Sequence, residues 1–94
     1  MIIERAEMAV QPGREEDLMK AMAEGRRFIA GAKGCRAVKF GGGIENPSKA
    51  ILLVEWDTIE SHTAFTQTPE FAELGALLGG FFLEPPSVEH FSCS

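Results

Sequence analysis

The pattern of this chain predicts an α+β domain: an antiparallel sheet with helices on one face, in the order β-α-β-β-α-β. Three observations carry that expectation. Residues 2–10 alternate in polarity, as a half-buried strand does. Apolar positions within 15–30 recur at helical spacing. Between 35 and 56, two strand-like runs flank a turn with no helix between them, which makes a hairpin.

Each element follows from its residues. In IIERAEMAV, Ile2, Ala6, Met8 and Val10 share one side, while Arg5 and Glu7 take the other. Pro12-Gly13 signals a turn, and Arg14-Glu15-Glu16-Asp17 places acids where a helix dipole favours them. Leu18, Met22, Gly25 and Ile29 then lie on one face of a helix that reaches about Ala30 and stops at Gly31 and Gly34. CRAVKFGGG at 35–43 reads as a second strand loosening into glycines. Glu45-Asn46-Pro47-Ser48 turns it into a third, AILLVEW.

That third strand does not alternate. Ile51 and Leu53 on one side, and Leu52, Val54 and Trp56 on the other, predict cover on both faces. One helix layer in so short a chain covers only one, so a homodimer through the sheet face is expected. Asp57 is the expected cap of the next helix, with Glu60 in the capping-box position. Thr68-Pro69-Glu70 starts a further segment, so this second helix is broken in two. Phe71, Leu74, Leu78 and Phe81 keep helical spacing, and Gly79-Gly80 frays the helix end. Glu84-Pro85-Pro86 is an extended connector, and Ser87 to Cys93 is a last strand. The plan is the split βαβ, or ferredoxin-like, arrangement in a single domain, 1–94.

Composition narrows the function classes. The net charge of −5 and the lack of any long Lys/Arg run disfavour nucleic acid. No apolar run approaches the roughly 20 residues of a membrane span. Charges in MIIERAEMAV come too early for a signal-peptide core. Cys35 and Cys93 lack metal or disulfide spacing and read as reduced thiols of a cytoplasmic protein.

Few residues invite chemistry. GGG at 41–43 lacks the GK[ST] and following helix of a phosphate loop, so strand bulging or close approach explains it better. No mononuclear metal site is expected within one chain, because the two histidines lie far apart in sequence and Glu89 and His90 face opposite sides of a strand, although a dimer could assemble ligands from both chains. No GxSxG marks a nucleophile elbow. His62, i+3 from Ile59 and three before Phe65, lies on the inward face of its helix. There it either hydrogen-bonds to backbone as a packed residue, or orients a phenol or quinone oxygen and moves its proton. Trp56 is core by default and otherwise one wall of a flat aromatic pocket. Seven phenylalanines, no tyrosine, and Met8, Met19 and Met22 suit an apolar core or an apolar cavity equally. Asp57 and Glu60 are accounted for by capping; Glu55 is not accounted for.

PGREEDL, GC at 34–35, LLVEWDTIESH, TPEF and PPSVEHF, in this order and spacing, resemble the antibiotic biosynthesis monooxygenase family of the dimeric α/β barrel superfamily. The resemblance covers nearly the whole chain. It implies two sheets facing one another across a dimer, with a pocket per subunit between sheet and helices. Some relatives oxidise polycyclic phenols with O2 and neither metal nor flavin, the substrate anion activating oxygen. Others degrade haem, isomerise small metabolites or have no known activity. The haem-degrading branch is disfavoured: Trp56 matches its tryptophan, but its axial histidine falls on Gly75, and residues 2–10 hold no asparagine. An H-x-x-S-P-H-F version has its histidines at the positions of Phe65 and Glu70. The chain is more similar to the subgroup with EWxSxExH and a terminal VEHF.

The expectation is thus a homodimeric, cofactor-independent monooxygenase acting on an aromatic, phenolic or quinol-type molecule. His62 is the candidate catalytic residue. Trp56 and Phe65, with Phe40 and His90, are the candidate substrate contacts. The alternatives are a non-catalytic barrel that binds a small ligand or serves only as structure, and a metabolite isomerase.

Overall fold

The computed structural model describes residues 1–94. The order is β1 (Ile2–Ala9), α1 (Glu15–Ala30), β2 (Cys35–Gly42), β3 (Lys49–Trp56), α2 (Ile59–Phe65), α3 (Pro69–Leu78), a 3-10 turn (Gly79–Phe81) and β4 (Ser87–Ser92). The sheet runs β2-β3-β1-β4, every neighbouring pair antiparallel. This is the expected ferredoxin-like α+β fold.

The hairpin β2–β3 is shaped by local devices in β2 and at its ends. A register shift between Cys35 and Ala37 opens β2. At the turn, a Cβ on Gly43 would collide with the Asn46 carbonyl, so only glycine lets the chain fold back there. Gly34 ends the α1–β2 connection at φ +86, the left-handed region that favours glycine. A Cβ on Gly34 would also run into the Ser61 side chain.

Helix starts follow the sequence with one correction. Thr68 accepts a hydrogen bond from the Phe71 amide at 3.2 Å, and Pro69 sits in the first turn, as expected. For α2 the cap is Thr58 and not Asp57: the Thr58 hydroxyl accepts from the Ser61 amide at 3.1 Å, which puts Ser61 and not Glu60 three residues after the cap. The Asp57 amide still belongs to the preceding pairing, donating to the Gly34 carbonyl at 2.8 Å, and its carboxylate pairs with Arg36. Two adjacent cap-type residues compete here, and the tie between Asp57 and Gly34 decides for the second. At α1, Arg14 provides no side-chain cap; the acids of the first turn answer the dipole instead.

The core lies between the sheet and the helices. Leu18, Ala21, Met22 and Ile29 of α1 face Ala6, Met8, Val38, Leu52, Val54 and Trp56 of the sheet. Leu74 and Leu78 of α3 close the far side, with Gly25 allowing α1 and α3 to approach. Of the phenylalanines, Phe65 is buried, whereas Phe71 and Phe91 are more than two-fifths exposed and are not core. The double cover expected for β3 is not supplied by this chain: Ala50, Leu52, Val54 and Trp56 are buried, while Ile51 and Leu53 on the other face are only half-buried.

Candidate functional site

Between β1 and β3 on one side and α2 and α3 on the other is a cavity of about 390 Å³. Met8, Val54, Phe65, Leu74 and Phe82 are among the residues of its apolar wall, and exposed Phe71 and Val88 stand at its rim. Glu4 and His62 are its only ionisable lining residues. A wider hollow of about 610 Å³ outside α1 and α3 is a trough bordered by exposed Arg27, Glu70 and Glu73. Its ionisable groups are all exposed and neither histidine lines it, so the apolar cavity is the candidate site.

The polar corner is built from three elements. β1 alternation puts Glu4 on the inward side with Ala6 and Met8, where only 9% of the residue is exposed. A buried carboxylate is costly unless hydrogen-bonded, and Trp56 meets that need: its indole Nε1 donates to Glu4 Oε1 at 2.9 Å. Trp56 sits opposite Ile2 and Glu4 opposite Val54, so the two are diagonal neighbours, within reach of a long aromatic side chain. α2 then brings His62 Nε2 to 3.6 Å from Glu4 Oε1. Burial pushes the His62 imidazole below its ordinary pKa, and the neighbouring His90 adds to that while Glu4 opposes it. The ring is therefore neutral at neutral pH and keeps a lone pair for a ligand's proton.

His90 completes the cluster. It is the register partner of Glu4 across β1–β4, and its ring lies 4.3 Å from that of His62, edge-on at 60°. Its Nε2 is buried without a hydrogen-bond partner. Trp56 meets His62 edge-on and Phe65 at a tilt, both at 5.7 Å, and Phe65 meets Phe71 edge-on at 5.6 Å. A row of rings thus runs from the core to the cavity mouth.

Of the residues singled out from the sequence, His62 and Phe65 line the cavity. Trp56 is fully buried behind Glu4 and acts on the corner through that hydrogen bond, not as a wall. His90 backs His62 without lining the cavity. Phe40 lies elsewhere, under the Arg26 guanidinium at 5.2 Å from its ring centre. Glu4 escaped the sequence reading, although an acid with the parity of Ile2, Ala6 and Met8 was a visible signal. Sequence separation likewise hid the grouping of Glu4, His62 and His90, one ligand-type atom of each lying within 4.8 Å of the others.

Comparison with known proteins matches this architecture. The family model for antibiotic biosynthesis monooxygenase matches residues 1–76. The Bacillus subtilis (strain 168) protein YczJ is 36% identical over 92 residues, covering 97% of each chain. A Bordetella bronchiseptica structure assigned to the same family superposes with TM-score 0.93 at 38% identity, over 99% of this chain and 96% of that one. A conserved protein from Methanosarcina mazei Go1 has TM-score 0.87 at 19% identity, over 99% of this chain and 92% of that one, a likeness of fold alone.

Proposed function

Because this chain belongs to the antibiotic biosynthesis monooxygenase family, we propose that its cavity oxygenates a flat, largely apolar small molecule bearing a phenol- or quinol-type hydroxyl. The supporting observation is the distribution of polarity: an apolar cavity of about 390 Å³ with its ionisable groups confined to one corner. Such a pocket orients a molecule by its single polar edge, the rings lying against Phe65, Leu74 and Phe82. His62 Nε2 takes the hydroxyl proton, and the resulting anion is electron-rich at ring carbon. That carbon adds O2 to give a peroxide anion, which recovers the proton from the imidazolium. The hydroperoxide C–O–O–H then loses water with the hydrogen on the same carbon, leaving a carbonyl. Substrate and O2 balance the reaction without another reductant, and the apolar walls exclude water from the anion.

Two copies meeting sheet to sheet belong to the same proposal. Half-buried Ile51 and Leu53, with Ile3, form an apolar strip on the face that this chain leaves uncovered. Oxygen uptake with a panel of quinols and polycyclic phenols tests the reaction. Wild-type protein should consume O2 and His62→Ala should lose most of that rate; equal rates would remove His62 from the mechanism. Turnover that persists without oxygen would identify an isomerase, and ligand binding with no turnover a carrier.

A further inference from the structure

We propose that Glu4, His62 and His90 together bind a divalent first-row transition-metal ion. One donor atom from each lies within 4.8 Å of the other two. Around an ion with bonds of about 2.0–2.2 Å, tetrahedral ligands stand roughly 3.4 Å apart. Glu4 Oε1 and His62 Nε2 are already 3.6 Å apart, so modest side-chain rotation completes the set.

The scaffold holds these donors firmly. Glu4 and His90 are directly opposed on paired strands, which fixes their spacing, and α2 brings His62 over them. Buried and unpartnered, the Nε2 of His90 is the kind of orphan that an ion accounts for. Trp56 supplies the outer hydrogen bond that ligating carboxylates commonly carry, aiming Glu4 through Oε1. Two imidazoles and one carboxylate select zinc, iron or cobalt over calcium and magnesium, which favour all-oxygen sets. Three protein ligands leave positions free, and Glu4 and His62 border the cavity, so a ligand oxygen can reach the ion.

The ion site stands on these side chains whether or not the protein is an oxygenase. With an ion bound, His62 would serve as a ligand rather than as the base, and the cation would act as a Lewis acid on the oxygen of a docked hydroxyl, lowering its pKa so that the proton leaves to solvent. Metal binding is therefore read separately from turnover. Chelator-stripped protein is titrated with Zn²⁺ by calorimetry, and with Co²⁺ by visible absorption and by emission of Trp56, the single tryptophan. One ion per chain is expected, with Trp56 quenching that saturates at the same point. Glu4→Gln, which keeps an acceptor for the indole, and His90→Ala should each weaken affinity roughly tenfold or more, and Cys93→Ser should leave it unchanged. Circular dichroism establishes that the variants fold; if one does not, wild-type stoichiometry and quenching still decide. No uptake at millimolar metal, uptake without quenching, or wild-type affinity in folded Glu4→Gln and His90→Ala overturns the site.

Discussion

On the helix-covered face of the sheet, β3 presents Ala50, Leu52, Val54 and Trp56, all buried; on the opposite face it presents Ile51 and Leu53 between Lys49 and Glu55. β1 shows the reverse mixture. Its covered side carries Glu4 with Ala6 and Met8, and its open side carries Ile3 with Arg5 and Glu7. On the open face the charges pair with one another: Arg5 with Glu7 at 3.3 Å and Glu89 at 3.1 Å, and Lys49 with Glu7 at 3.0 Å. Those pairs are solvated, and each contributes little. The one carboxylate on the covered face meets an indole and two imidazoles instead. A buried carboxylate gathered with two imidazoles beside an apolar cavity is where chemistry is expected. A charge among partners in water needs no such explanation.

Substitutions on the two faces should separate these roles. The largest effect belongs to the covered side. Leu18, fully buried at 0% exposure, should lose about 2–5 kcal/mol of stability as Leu18→Ala in urea unfolding. A loss within error would mean the helix layer is not the main core. Next, Leu53→Arg on the open face should leave the fold intact by circular dichroism yet halve the mass seen by light scattering. A wild-type chain that already runs as a monomer would break the sheet-to-sheet proposal.

Gly75 probes the cavity itself. It lines the space, and a Cβ there would meet nothing within 4 Å. Gly75→Leu should remove ligand binding while raising stability by roughly 0.5–1 kcal/mol through helix propensity. Retained binding would place the ligand elsewhere. The smallest effect lies on the open face. Lys49 first, and then Arg5, hold the Glu7 carboxyl below its usual pKa. A depressed acid contributes stability above its unfolded pKa and loses it as pH falls through the folded one. Wild-type protein should therefore lose slightly more stability than Glu7→Gln on acidification through the carboxylate range. The gap should close in high salt, and a gap indifferent to salt would contradict solvated pairing.

Most of the fold was legible because its signals are local. The 2-residue period of β1, the i, i+4, i+7, i+11 face of α1 and the Thr68-Pro69 start are written in adjacent residues and recur in the structure. The cap of α2 was misplaced by one residue, because choosing between Asp57 and Thr58 depends on the distant Gly34 carbonyl. Helix spacing put His62 and Phe65 on one face of α2 and could not say whether that face borders a cavity, as it does in the structure. Phe40 was not separable from them in the sequence, since an aromatic residue on the covered face of a strand looks the same under Arg26 as it would beside a cavity.

The sequence by itself determined the element order, the inward face of β1 and the family, all consequences of short-range periodicity and ordered motifs. Only the tertiary structure decided the site. Glu4, Trp56, His62 and His90 span 87 positions, from 4 to 90, and meet because strand register sets Glu4 opposite His90 and α2 folds back over both. Register and helix docking are settled by packing of the whole core, so no local pattern could announce that a carboxylate and two histidines share one corner.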